Sequence, residues 1–259
     1  MKANYHTHTT RCHHAEGTDE EMVLAAIDGG FSILGFADHV PWPYQKPGHV
    51  SRIRMAMDDL PGYIASINDL RACYAGQIDI YPGAESEYYP RYIDHLRRLH
   101  DSGLYLILGH HYYDSDEDNT WVGQPTATED DFRRYGDMVA KAVGTGLFTY
   151  VAHPDLFMKR RCGLPFTAGC REAAACICQA AKEAGVPLEY NLIRYAENDA
   201  ELGYPCADFW QIAAQYGNEV VLGVDAHAPH YLRDTAAWQR GAQDVDVLGL
   251  TRLESVPLR

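Results

Sequence analysis

The chain has 259 residues, with 22 Lys and Arg against 36 Asp and Glu and a formal net charge of −14, an acidic balance that disfavours nucleic acid or an anionic membrane as main partner. That length suits one domain whose core needs no staples, and no stretch has the make-up of a secretory leader or the length of a membrane span. Seven cysteines, an odd number without a CxxC pair, read as free thiols of a cytoplasmic protein.

The predicted elements alternate along the chain. A strand over residues 3–5 leads to His6, a helix over 19–28 opens with acidic residues, and a strand over 32–37 precedes Asp38 and His39. Gly29 and Gly30 between them suit a helix cap. A helix over 57–74, in spite of Pro61 and Gly62, a strand over 78–82 and a helix over 91–100 follow. Then come strand 104–109, helix 129–143, strand 147–152, helix 171–184, strand 187–190, helix 207–216 and strand 219–224. This order predicts a parallel sheet covered by helices, and seven strands favour a closed or nearly closed βα barrel over an open doubly wound sheet. Two long irregular loops, 41–51 and 114–128, each come after a metal-ligand residue.

Those residues carry the functional signal. His6-Thr7-His8 with His14, Asp38-His39, Glu85 with Glu87, His110-His111, His153-Pro154-Asp155 and Asp225-Ala226-His227 nearly all sit just beyond an apolar, β-prone run. In an α/β barrel, side chains at the C-terminal ends of parallel strands converge on one mouth, where such enzymes keep their active sites. A lone HxH is as readily two alternating histidines on an exposed strand. With imidazoles and carboxylates at six strand ends, the donor set suits zinc, iron or manganese better than calcium. Residues 114–118 resemble a calcium loop only superficially and read as a solvated acidic loop.

The motifs His6-Thr7-His8, Cys12-His13-His14-Ala15-Glu16-Gly17-Thr18, Gly35-Phe36-Ala37-Asp38-His39, Gly83-Ala84-Glu85 and Leu108-Gly109-His110-His111 form one series. It continues with Ala152-His153-Pro154-Asp155-Leu156-Phe157, Leu188-Glu189-Tyr190-Asn191 and Gly223-Val224-Asp225-Ala226-His227. Together, over residues 5 to about 230, the series resembles the PHP (polymerase and histidinol phosphatase) superfamily, and more narrowly its monofunctional histidinol-phosphate phosphatases.

The resemblance implies a distorted, TIM-like, seven-stranded (βα)7 barrel over residues 1–259, holding two to three divalent ions (Zn, Fe or Mn). His6, His8, Glu85 and Asp225 would hold the first ion, and Glu85 would bridge to a second held by His111 and His153. His14, His39 and His227 would hold the third. His111 is preferred to the adjacent His110, and Glu87 is expected to support a ligand rather than bind metal. Bridged ions can share a hydroxide as nucleophile, with Glu85 as bridge and Asp225 as ligand and possible proton acceptor. Arg160, Arg161 and Arg194 are the candidate phosphate clamps, against the alternative of a solvated charge run.

Trp42, Tyr44, Tyr112 and Tyr113 are candidates to wall the pocket, and His13, His49, His95, His100 and His230 read as surface or packed residues. The expected function is hydrolysis of a small phosphorylated substrate, foremost L-histidinol phosphate in histidine biosynthesis. Alternatives are a PHP phosphoesterase on another phosphate ester or a phosphodiester, and a noncatalytic metal-binding module. Oligomeric state is left open.

Overall fold

The computed structural model describes residues 2–117 and 120–258. Eight strands, β1 (Ala3–Asn4), β2 (Ile33–His39), β3 (Asp79–Ser86), β4 (Tyr105–Leu108), β5 (Phe148–Val151), β6 (Leu188–Asn191), β7 (Glu219–Gly223) and β8 (Thr251–Arg252), form one parallel sheet in chain order. The expectation of seven strands is therefore corrected to eight among the described residues. The added strand is an exposed Thr-Arg pair against the start of β7, with no apolar run from which it could be read. At the opposite end of β7 the sheet curls back on itself: Thr7 bridges Ala226, with the His8 amide donating to the Ala226 carbonyl at 2.9 Å and the Ala226 amide to the His6 carbonyl at 3.1 Å.

The covering helices are α1 (Asp19–Asp28), α2 (Leu60–Cys73), α3 (Ile93–Asp101), α4 (Glu129–Val143), α5 (Ala168–Ala184), α6 (Ile193–Ala196), α7 (Ala207–Tyr216), α8 (Pro229–Arg233) and α9 (Thr235–Val247). Local chemistry sets their ends. Thr18 and Glu21 form a reciprocal capping box at the start of α1, and Thr128 and Asp131 do the same for α4. Pro61 lies in the first turn of α2, where its missing N–H costs no intrahelical bond. The sequence missed α6, α8 and α9. Two of these are only four and five residues long, too short for a helical period to register.

Apolar side chains pack between the sheet and its helices in two large clusters, and a third fills the inside of the curl. The third contains Tyr5, Ala37, Tyr105, Ile107, Tyr150, Ala152 and Val221. On β2, β4 and β7 these residues face inward, so two to four positions further along the same register points into the mouth. Among the described residues, no helix is long and apolar enough to cross a membrane.

Candidate metal centre

At the mouth the inward register delivers donors in place of aromatics. On β2 it passes from Ala37 to His39, on β3 from Gly83 to Glu85, and beyond β4 it passes through Gly109 to His111. Gly109 is required here, since a Cβ on it would lie 1.8 Å from Glu85 Oε1. A Cβ on Gly223 would likewise meet Glu189 Oε1 at 1.8 Å. His153 and Asp225 adopt the left-handed backbone region, at φ of 29° and 54°, which non-glycine residues enter only when their surroundings hold them there.

The donors face one another closely. His6 Nε2 lies 3.1 Å from His8 Nε2 and 3.4 Å from Asp225 Oδ1, and His8 Nε2 lies 3.1 Å from the same carboxylate oxygen. Glu85 is central: its Oε1 stands 2.7 Å from His153 Nε2 and 3.5 Å from His111 Nε2, while Oε2 stands 3.0 Å from His39 Nδ1. His14, His39 and His227 form a further set whose donor atoms all fall within 4.8 Å of one another. Glu85 Oε2, Asp225 Oδ1, His8 Nδ1, His39 Nδ1 and His153 Nδ1 are buried without a hydrogen-bond partner. Orphaned donors and acceptors of this kind are costly unless something else satisfies them, and the clustered sets His6, His8 and Asp225, His6, Glu85 and His153, and His14, His39 and His227 fit divalent ions.

The electrostatics agree with that fit. Burial opposes ionisation of Glu85, but the imidazoles of His111, His6 and His39 outweigh it and hold the carboxyl well below the usual range. Burial is likewise outweighed at Asp225, by His6, His8 and His227. Burial pushes His39 well down and His227 to about 3, which leaves their ring nitrogens free to ligate. For His8, burial is overcome by the facing carboxylates of Asp225 and Asp38, which raise it to about 9; the site attracts positive charge.

Residues outside the expected ligand set hold these donors in place. Glu189 on β6 accepts from His6 Nδ1 at 2.8 Å and from the His153 amide at 3.0 Å, and Asn191 donates to both Glu189 and Asp225. Their signal was the alternation Leu188-Glu189-Tyr190-Asn191, which places two polar residues on the inner face of a buried strand. Asp38 accepts from Thr9 and lies 3.6 Å from His8 Nδ1. Glu87 Oε1 lies 3.3 Å from His111 Nδ1. His110 turns the other way, packed between Tyr89 and Tyr135.

Above the donors lies a cavity of about 370 Å³, lined also by Glu16, Ile53, Tyr112, Trp121, Lys159, Tyr204 and His230. The three expected arginines are not brought to it; among the described residues no arginine lines it, and the cation in its wall is Lys159. Arg161 is buried against Phe132 and donates to the Pro125 carbonyl, and Arg194 donates to the Ala200 carbonyl. Arg160 lies over Trp121, a residue of the cavity wall. Of the aromatic candidates Tyr112 reaches the cavity, whereas Trp42 stacks on Tyr92 in the core. The acidic loop expected to be solvated is instead largely buried as far as Glu117: Asp116 accepts from Tyr44 and Ser51, and Glu117 accepts from Arg91 and the amides of Gln45 and Lys46. Asp118 lies outside the described residues. All seven cysteines are free.

The PHP domain family matches residues 4–192. A Deinococcus radiodurans protein named probable histidinol-phosphatase is 32% identical, with 86% of this chain and 85% of that protein aligned. The Bacillus subtilis histidinol-phosphatase is 25% identical, over 88% of this chain and 94% of its own length. Among solved structures, the histidinol phosphate phosphatase of Lactococcus lactis complexed with zinc, L-histidinol and phosphate shares the fold, with a TM-score of 0.75 and 22% identity over 99% of this chain and 98% of that one. A histidinol-phosphatase candidate from Listeria monocytogenes gives a TM-score of 0.76 and 24% identity, over 92% and 99% of the respective chains.

Proposed function

The chain belongs to the PHP domain family, and from that premise we propose that it is a metal-dependent phosphomonoesterase that hydrolyses L-histidinol phosphate to L-histidinol and phosphate, a step of histidine biosynthesis. One observation carries the reading: buried carboxylate and imidazole side chains at five strand ends, those of His8, His39, Glu85, His153 and Asp225, carry unpartnered polar atoms beneath an open cavity. The names of the full-length relatives support the choice of substrate.

In this reading His6, His8, Glu85 and Asp225 hold one divalent ion, Glu85, His111 and His153 a second, and His14, His39 and His227 a third. Bound there, such ions supply Lewis-acid activation of water near neutral pH and offset charge on the phosphoryl oxygens. Glu85, whose two oxygens face different imidazoles, is suited to bridge. Asp225, backed by Asn191, is the carboxylate that would take the proton of the attacking water. Lys159 in the wall and Arg160 over Trp121 are the cations best placed to steady the phosphoryl group, while Arg161 and Arg194 would have to leave their carbonyl partners. Tyr112, Trp121, Leu156, Ile193 and Tyr204 offer an apolar wall for the leaving alcohol. Residues 1–259 act as one domain, a view supported by the Val256 amide near the C-terminus donating to the hydroxyl of Tyr5.

A turnover screen of zinc-, manganese- or iron-loaded protein against a panel of phosphomonoesters tests the proposal. Preferred release of phosphate from histidinol phosphate is expected. No release from any member, or less than one bound ion per chain in protein never exposed to chelator, overturns it.

A further inference from the structure

We infer that the buried pair Arg54–Glu87 sets the affinity of the second metal position, by fixing the ring of His111 and making that position depend on the loop that carries Arg54. The inference rests on the ligand assignment proposed above and adds a device for weakening one ion selectively.

His111 needs such support. Its side chain is 15% exposed, against 1% for Glu85 and 2% for His153, the residues with which it would share an ion. Its Nδ1 lies 3.3 Å from Glu87 Oε1, an arrangement that turns Nε2 toward Glu85. Glu87 is itself held at both oxygens: Arg54 Nη2 donates to Oε1 at 2.8 Å, and Arg54 Nη1 and Trp42 Nε1 donate to Oε2 at 3.1 and 3.3 Å. The guanidinium also donates to the Val40 carbonyl at 3.1 Å, and its Nε lies 3.4 Å from Asp116 Oδ1. Asp116 in turn accepts from Ser51 at 2.6 Å and from Tyr44 at 2.7 Å. One buried cation therefore ties the 40–56 loop, the 112–117 loop and the end of β3 to the ring of a single metal-facing histidine.

The other histidines are oriented without loop charges. His6 is fixed by Glu189 on β6 at 2.8 Å, and His14 and His227 by the backbone carbonyls of Cys12 and Asp225 at 2.7 and 2.9 Å. Outer partners of metal-bound histidines typically contribute about tenfold to hundredfold in metal affinity. Loss of the Arg54–Glu87 pair should thus weaken one ion and spare the rest.

Zinc titration against a competing chelator, with the ions counted per chain, tests this in the wild type, Glu87→Gln, Arg54→Lys, Arg54→Met and the double variant Arg54→Met/Glu87→Gln. The double variant removes both charges of the pair together, should a single variant fail to fold, and leaves Asp116 the hydrogen bonds from Ser51 and Tyr44. One ion per chain is expected to bind about tenfold to hundredfold more weakly in Glu87→Gln and in the double variant. Arg54→Lys, which keeps the charge without the fork, should recover part of the loss. Wild-type affinity for every ion in the folded variants, or equal weakening of all of them, overturns the inference. A wild-type protein that binds no stoichiometric ion would instead refute the metal reading itself.

Discussion

The same inward faces of the strands build two opposite environments. Beneath the mouth, Tyr5, Tyr105 and Tyr150 pack with Ile107 and Val221, and their polar atoms find partners within the chain: the Tyr105 hydroxyl donates to the Tyr5 carbonyl at 2.7 Å, and the Tyr5 hydroxyl accepts from Val256. At the mouth, Glu85 Oε2, Asp225 Oδ1 and several imidazole nitrogens are as deeply buried but have no hydrogen-bond partner. The lower region is complete as folded, whereas the upper one is completed by what it binds. Substitutions below should alter stability alone; those above should alter ion binding and turnover.

Chelation separates the two regions most sharply. Removing metal should abolish turnover, and restoring zinc, manganese or iron should recover it. An ion present at a hundred times its Kd adds about 2.7 kcal/mol of stability. In a chain of this length that is roughly 5–10 °C of Tm per ion, readable by calorimetry before and after chelation. An unchanged Tm together with unchanged activity would erase the distinction.

Glu85→Gln is next in size. It keeps the shape and removes the charge that faces His39, His111 and His153, so kcat should fall by about a hundredfold to a thousandfold, with metal content reduced. Steady-state kinetics and metal analysis on one preparation would expose a wrong assignment if both stayed at wild-type values.

His110 tests the boundary between the regions, because it is buried with both ring nitrogens unpartnered yet points away from the mouth. Burial depresses it to about 4 from the ordinary 6.5. The unfolded chain binds the extra proton across that window, so stability is full above pH 6.5 and is lost as pH falls toward 4, by up to about 3 kcal/mol. His110→Phe should flatten that acid limb in metal-free protein, as followed by denaturant midpoints at pH 7 and pH 5. An unchanged slope would show that His110 is not the group responsible.

The smallest effect is expected below. Tyr105→Phe removes one buried hydrogen bond, about 1 kcal/mol, and should leave kcat/KM unchanged. A change in turnover would show that the lower packing reaches the centre.

How much of this was legible depended on the kind of signal. Strand-end ligands were readable because nearly all follow an apolar run, as with Leu106, Ile107 and Leu108 before His110 and His111. Sequence alone could not say which histidine of that pair faces inward, since the choice follows from the inward register that runs through Gly109. The eighth strand was missed because Thr251 and Arg252 are exposed and carry no periodicity. Arg160, Arg161 and Arg194 were chosen for their charge, but a neighbouring carbonyl or ring claims each side chain, a tertiary matter that linear spacing does not encode. Arg54 gave no sequence signal at all, lying in an irregular segment until its carboxylate partners, 33 and more residues away, folded against it.

The bridge between Thr7 and Ala226 has a temporal consequence. Asn4 Oδ1 accepts from the Val224 amide across 220 residues, and the donors of β1 meet those beyond β7 only at that seam. During synthesis at roughly 5–20 residues per second, His6 and His8 therefore wait more than ten seconds for Asp225 and His227 to be made. A ribosome-bound chain can shape most of its sheet in that interval, but it can close the centre only once Asp225 and His227 have emerged.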